Sequence, residues 1–488
     1  MYKRVFLISG LVPEPKFNLY PQPGVGYLAQ VLEDNNIEYD VCDMRLGLKP
    51  QVLIKRIKEF SPDLVGISMR TPLYKRQYQI ISEIKRAGKF QIAVGGDHLI
   101  AMREEVLREC PEIDFGVVFE GERTLLEMCL NGAEDEIPGL MRRSNGNIVY
   151  NGDREFEKDL DNFPFPKYER FELEKYPTHE IGIVSSRGCP HRCMFCVESS
   201  RFNRRRYRAR SAKNVVDEIG YWFERGFTKF DFAEPVFNFY KDRVIEICNE
   251  LITRGLNDKI NLITRSGIRA DATDEEVLVK MKEAGFKWLS FGVEAGNNRI
   301  IERLQKGETI EEISEAVETA CKLGFDVMLS FLVGSPSETE SDIEDSINFA
   351  LRYPIVDVNF FNPFPLPGTR LMDYLNENNL FVVKPEKYLN TIWRKNQNRP
   401  LFQTPELSVE QRIKALKKTS SVKNLIVRRR MRRNLQKRFG HLWGKIISSI
   451  FLNNQIFTII SKLTQSNPGI FYTRLSQTMK KLKIIKNN

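Results

Sequence analysis

The chain has 488 residues, 42% hydrophobic and 28% charged, with a formal net charge of +10. Such a composition is that of a globular chain with two or three domains. It contains no run of 18 apolar residues and so excludes a membrane-spanning helix, and its scattered cysteines (Cys42, Cys110, Cys129, Cys248 and Cys321) exclude a disulfide framework. The basic excess is local: residues 401–488 hold 19 Lys/Arg against 2 Asp/Glu, which leaves the remaining body mildly acidic.

Met1-Tyr2-Lys3-Arg4 with the apolar residues 5–8 is too short for a signal peptide and reads as a first strand. Further strand-like runs at 39–42, 63–68, 91–96 and 115–119 alternate with helical spacing at 24–33, 52–60, 78–87 and 101–108. About five β/α units in this order predict a doubly wound, Rossmann-like parallel sheet over residues 1–150. Ligands on such sheets sit beyond the carboxyl ends of the strands, here residues 10–12, 68–71, 95–98 and 120–122. No Gly-x-Gly-x-x-Gly follows the first strand, so a dinucleotide fingerprint is absent. Residues 151–176, with Pro164 and Pro166, read as an irregular linker.

A second alternating region covers residues 177–380. After an apolar strand at 181–185 come Cys189, Cys193 and Cys196, spaced Cys-x3-Cys-x2-Cys. Thiolates this close can hold one metal centre. Iron–sulfur cubes usually take four cysteines; three leave one iron open, and an open metal position is where chemistry happens. A zinc site needs a fourth ligand, for which only His191 is near, and lacks a second Cys-x2-Cys pair. Basic residues crowd positions 201–210, among them Arg204, Arg205 and Arg206, either to meet an anionic substrate group or as a solvated loop. Strands at 229–234, 260–264, 288–296, 327–333 and 359–362 follow. They lead into Glu234, Arg269, Gly292-Val293-Glu294-Ala295-Gly296, Gly334-Ser335-Pro336-Ser337-Glu338-Thr339 and Pro365-Leu366-Pro367-Gly368-Thr369.

Residues 381–488 read as helical and basic, densest at 427–433. Positions 441–463 place Trp443, Ile446, Ile447, Ile450, Phe457 and Ile460 at near-helical spacing. A basic amphipathic helix can lie on an anionic membrane or pack on the core with its charges solvated. The run has no interleaved aromatics, so a nucleic-acid partner is not expected.

The cysteine spacing, with Phe195 before the last Cys, together with the Gly-Val-Glu-Ala-Gly, Gly-x-Pro-x-Glu-Thr and Pro-x-Pro-Gly-Thr segments in order, resembles the radical S-adenosylmethionine (SAM) superfamily. The resemblance implies a partial (β/α)6 barrel with its site at the strand carboxyl ends. It implies a [4Fe–4S] cluster on Cys189, Cys193 and Cys196 whose open iron takes SAM and cleaves it to a 5′-deoxyadenosyl radical. Glu234 and Glu294 match positions near SAM.

Pro23-Gly24-Val25-Gly26, Pro62 to Ser68, Val94-Gly95-Gly96 and Phe119-Glu120-Gly121-Glu122 resemble the cobalamin-binding domain that precedes many such cores. Ser68, Gly95 and Gly96 match positions lining the nucleotide tail of cobalamin. The family's Asp-x-His-x-x-Gly loop is missing, and His98 lies after the fourth strand, so cobalt is expected without a protein histidine. The expected α/β architecture is thus a Rossmann-like cobalamin-binding domain (1–150), a linker (151–176), a radical SAM barrel (177–380) and a basic helical region (381–488).

The implied activity is methylation of an unactivated carbon, with a second SAM remethylating cobalt. Ring closure or oxidation, as in the anaerobic magnesium-protoporphyrin ester cyclase branch, stays open. A methylthiotransferase fits less well, because no auxiliary cysteine motif is present. An iron–sulfur or cobalamin sensor is the non-enzymatic alternative and would make no 5′-deoxyadenosine. The expected partners are a small-molecule or lipid substrate and an electron donor of flavodoxin or ferredoxin type. The expected location is cytoplasmic, with peripheral contact of the basic tail at the inner membrane face. No individual catalytic side chain is singled out.

Overall fold

The computed structural model describes residues 1–14, 19–132, 134–200, 207–392 and 399–439. Strands β1 (Arg4–Ser9), β2 (Glu38–Asp43), β3 (Leu64–Ser68), β4 (Gln91–Gly95), β5 (Phe115–Val117), β6 (Leu140–Ser144) and β7 (Asn147–Tyr150) form one sheet in the order β2-β1-β3-β4-β5-β6-β7. The first five are parallel and the last two antiparallel. In β1 every residue from Val5 to Ser9 is buried. Helices on both faces demand such unbroken apolar runs. The sheet reverses direction of winding between β1 and β3, the place where doubly wound sheets take their ligands.

The second sheet begins with β8 (Ile181–Ile183). A two-stranded antiparallel ribbon of β9 (Ser186–Arg187) and β10 (Arg208–Ala209) follows. Then come β11 (Lys229–Phe232), β12 (Asn261–Ile268), β13 (Phe286–Glu294), β14 (Asp326–Leu332) and β15 (Asp357–Phe361). The six-stranded order is β8-β11-β12-β13-β14-β15, all parallel. Its two edges, β8 and β15, do not pair with each other among the described residues, so the barrel is open on one side. The last residue of the Gly-Val-Glu-Ala-Gly run has a structural reason to be glycine. A Cβ on Gly296 would stand 2.3 Å from the backbone carbon of Asp345, because the helix Glu340–Arg352 packs directly against it.

Residues 151–176 hold no long helix or strand, yet they are a packed seam rather than a free tether. Leu160, Phe163, Tyr168, Phe171 and Tyr176 are buried. Tyr176 donates its hydroxyl to Asp43 of β2 at 2.7 Å, and the Tyr168 ring lies 5.5 Å from that of Trp222.

Within the C-terminal region, after the short helix Pro385–Leu389, the basic part starts as one helix, Val409–Phe439, laid on β15 and on Glu340–Arg352. Leu416, Val422, Ile426, Met431 and Leu435 form its buried stripe. Arg433 donates to the carbonyls of Pro354 and Ile355 at 3.0 and 2.8 Å. The described part of the basic tail is therefore committed to the barrel wall. Of its dense basic run, Arg433 thus sits just before β15, and Arg430 lies over the ring of Trp288 near the start of β13. Residues 441–463 lie outside the described residues, as do Arg204, Arg205 and Arg206. Among the described residues no helix is long and apolar enough to cross a membrane.

Candidate functional site

Cys189, Cys193 and Cys196 sit on the loop that leaves the ribbon strand β9, all three partly exposed and none in a disulfide. The loop is fixed by its backbone. Met194, buried between the cysteines, donates its N–H to the Leu304 carbonyl at 2.9 Å and accepts from Leu371 N–H at 2.9 Å. Cys196 N–H closes a turn onto the Cys193 carbonyl at 3.1 Å. Arg370 donates to both the Arg192 carbonyl and Gln305. The segments 304–307 and 365–371, distant in the sequence, are thus the seat of the cysteine loop.

Beside the loop lies a buried ion network that local sequence pattern did not disclose. Lys306 is 7% exposed, and its Nζ stands 2.8 Å from Glu308 Oε2. Glu308 also accepts the Ala270 N–H at 2.5 Å. Arg269 donates to the Lys306 and Gly307 carbonyls at 3.0 and 3.1 Å and pairs with Asp271 at 2.6 Å. Glu294 ends β13 with φ 68°, a left-handed conformation rare for a residue with a side chain. That bend turns its carboxylate toward Lys306. Burial pushes all three thiols up, Cys196 to about 12, while Lys306 and Arg269 act against burial at Cys193 and Cys189. Two cations beside three thiols suit a centre that is anionic once the thiolates form. Among the described residues no three His, Cys, Asp or Glu side chains converge as tightly as a single metal ion requires. Three partly exposed thiols on one short loop, beside the buried cations Arg269 and Lys306, fit a [4Fe–4S] cluster held by three cysteines.

Two polar atoms at the carboxyl rim of the barrel are buried without a partner among the described residues, Oε2 of Glu234 and Oγ of Ser335; Oγ1 of Thr264, inside β12, is a third. Glu234, 1% exposed, accepts a hydrogen bond from Ser185 on its other oxygen. An orphaned buried carboxylate oxygen costs free energy until a ligand meets it, and a positively charged ligand such as SAM suits it.

Burial raises the Glu234 carboxyl from 4.5 to about 7, with Ser185 and Arg243 pulling the other way. The folded chain therefore holds a proton here that the unfolded chain releases. Stability from this group is intact below the unfolded value of 4.5 and is lost as pH rises through about 7. Compared with Glu234→Gln, the cofactor-free protein should lose up to about 3 kcal/mol of unfolding free energy between pH 5 and pH 8. Urea titrations at the two pH values check it, and an equal loss in both proteins would contradict it.

In the first sheet, Ser68 and Gly95 end β3 and β4 and remain partly exposed on the carboxyl rim. Gln22 bridges the switch point, accepting from Ser9 Oγ at 2.6 Å and donating to Ser68 Oγ at 3.1 Å. The two glycines differ. Gly96 has φ 99°, and a Cβ there would stand 2.7 Å from the Met69 carbonyl, so the fold itself requires glycine. Gly95 meets only ordinary contacts and leaves its rim position open to a ligand. His98 is fully buried, stacked on Tyr74 and hydrogen-bonded to Tyr78 at 2.9 Å. Burial lowers it to about 3. Held there, His98 does not face the carboxyl rim as a free ligand. Ser68 and Gly95 are therefore the residues of this rim that a ligand could reach.

The two carboxyl rims meet. Leu73, in the loop after β3, donates to the Leu389 carbonyl beyond β15 at 2.6 Å, and Lys75 pairs with Glu386. The loop after β5 reaches the ribbon through Glu120 and Glu122. The arginines after the cysteine loop depart from the expected solvated or substrate-facing run. Arg208 and Arg210 belong neither to a solvated loop nor to an open substrate pocket. Arg208 pairs with Glu120 at 2.5 Å, and Arg210, 2% exposed, pairs with Glu218. Glu120, largely withdrawn from solvent, and Glu218, fully buried on the helix Ala212–Glu224, hold them.

Comparisons with known proteins fall in the same two places. The radical SAM superfamily model matches residues 183–350, and the B12 binding domain model matches residues 17–128. An uncharacterised methyltransferase of Pyrococcus horikoshii is 32% identical over 407 residues, covering 82% of this chain and 86% of its own. The anaerobic magnesium-protoporphyrin IX monomethyl ester cyclase of Cereibacter sphaeroides is 27% identical over 73% of this chain and 61% of its own. Among solved structures, the cobalamin-dependent SAM radical enzyme OxsB, with aqua-cobalamin and SAM bound, superposes over 100% of this chain and 82% of its own. Its TM-score is 0.70 at 17% identity. The radical SAM methyltransferase TsrM of Kitasatospora setae gives 0.68 at 21% identity over 77% of this chain and 76% of its own. At those identities the likeness to solved structures speaks for the fold.

Proposed function

The chain belongs to the radical SAM superfamily, among the members with an amino-terminal B12-binding domain, and from that premise we propose that it methylates an unactivated carbon of a small molecule. It is an enzyme of the methyltransferase-like kind, and its cofactors are a [4Fe–4S] cluster, SAM and cobalamin. The observation that supports methyl transfer most is the docking of the loops after β3 and β5 on the second half of the chain, Leu73 on Leu389 and Glu120 and Glu122 on the ribbon that opens the cysteine loop.

In this reading Cys189, Cys193 and Cys196 would hold three irons, with Arg269 and Lys306 balancing the charge of the centre. Glu234 would take the positive charge of SAM, and Glu294 would hold Lys306 in place. Ser68 and Gly95 would line the cobalamin tail, with Gly96 shaping the turn that presents them. When bound, these groups supply a carbon-centred radical and a transferable methyl group; the protein binds, orients and keeps water out. The electron comes from a donor of flavodoxin or ferredoxin type, and the working location is the cytoplasm. No observation favours a membrane role for the described part of the tail, which is bound to the barrel.

Oxidative ring closure is the second reading, favoured by the likeness to the Cereibacter sphaeroides cyclase. Anaerobically reconstituted protein, given SAM with a deuterated methyl group and a low-potential reductant, separates them. Paired S-adenosylhomocysteine and 5′-deoxyadenosine support methyl transfer. 5′-Deoxyadenosine alone supports ring closure or oxidation, and neither product contradicts both.

A further inference from the structure

The ribbon that opens the cysteine loop is only two residues long on each strand, and its register sets Arg208 directly opposite Arg187. Like charges facing each other across an antiparallel pair repel, and two short strands alone are marginal in water. The counter-charge comes from the other domain. Glu120 accepts both terminal nitrogens of Arg208 at 3.0 and 2.5 Å and stands 3.6 Å from Arg187. Glu122 accepts from Arg187 at 2.7 Å. All four side chains are largely withdrawn from solvent, between 6 and 19% exposed.

Their geometry is fixed on the acidic side. Phe119, at φ 66°, turns the chain after β5 to present Glu120. Glu122 stands in the first turn of the helix Glu122–Leu130, where the helix dipole favours a carboxylate. On the basic side, Arg187 is stacked over the rings of Tyr27 and Phe163 at 4.7 and 5.0 Å. Only Gly188 separates Arg187 from Cys189.

We infer that Glu120 and Glu122 are positioning residues for the cysteine loop: they neutralise the facing arginines of the ribbon, so that the loop takes its working shape only when the amino-terminal domain is docked. The inference rests on the reading that Cys189, Cys193 and Cys196 hold the cluster. It assigns a second role to the loop after β5, which otherwise reads as part of the cobalamin rim alone.

The test is a charge-reversal cycle in the full-length chain: Glu120→Arg, Arg208→Glu and the double variant. The milder pair Glu120→Gln and Glu122→Gln serves if a reversal fails to fold. Amide hydrogen exchange at Ser186, Arg187, Arg208 and Ala209 in the cofactor-free protein reads the ribbon without any cluster. Each single variant should speed this exchange at least tenfold, and the double reversal should return it to within about threefold of wild type. In reconstituted protein, the change that SAM causes in the electron paramagnetic resonance signal of the reduced cluster should weaken in the single variants and return in the double one. Exchange within twofold of wild type in the single and Gln variants, or a double variant no better than its parents, would overturn the inference. A normal exchange pattern of rescue in protein that binds no iron would instead count against the cluster reading, and leave the clamp standing.

Discussion

Cys193→Ala should abolish both cluster assembly and SAM cleavage. Three thiolates already leave one iron of a cube without a protein ligand, and two cannot hold the remaining irons against loss. The substitution removes a partly exposed sulfur from a loop whose fold rests on backbone bonds at Met194 and Cys196. The protein should therefore remain folded, with unchanged circular dichroism, while iron after reconstitution falls from about four per chain to near zero. Cys321→Ala is the matched control: that cysteine is also partly exposed but lies on the outer helix Ile310–Lys322, and its variant should keep both cluster and activity. Retained 5′-deoxyadenosine formation by Cys193→Ala would sink the assignment of the cluster.

Lys306→Met should be the most damaging substitution for the fold of the site. Lys306 is the cation between Glu308 and Glu294, and its side chain and that of Glu308 are 8% and 1% exposed. Removing one partner of a buried pair leaves an uncompensated charge, which costs about 3–5 kcal/mol. The damage should reach the cysteine loop, because Leu304 of the same turn holds Met194. Lys306→Arg keeps the charge and should recover part of the loss. Urea unfolding of the cofactor-free proteins measures this. A loss below about 1 kcal/mol for Lys306→Met would mean that the network is screened like a surface pair.

The sheets were legible in the sequence because strands covered by helices on both faces must be apolar throughout; 63–68 and 91–96 have that pattern and became β3 and β4. The cysteine loop was legible because its chemistry is carried by short spacing. The hairpin of β6 and β7 went unforeseen although Asn145-Gly146, both at positive φ, is a strong turn signal. Its strands are half exposed and lack the apolar runs that mark the others. The burial of the 151–176 segment was hidden for a related reason. Its tyrosines and phenylalanines pack against both domains and, at Tyr168 and Phe171, on each other, with no period to reveal them. Ion pairs that join distant segments, such as Glu120 with Arg208, 88 residues away, leave no local trace at all. That is why the arginines near position 208 looked solvated. Nor does local sequence separate the glycine that the fold needs, Gly96, from the one that stays open on the rim, Gly95.

Methyl transfer by this chain requires that it hold two cofactors at once. Anaerobic reconstitution with iron, sulfide and hydroxocobalamin, followed by desalting and an absorption spectrum, measures it. One cluster and one cobalamin retained per chain is the expected result. The cobalamin should show a base-off spectrum with no histidine on cobalt, since His98 is buried against Tyr74 and Tyr78. A protein that keeps its cluster but releases all cobalamin would contradict the account and reduce the amino-terminal domain to a module for substrate or partner.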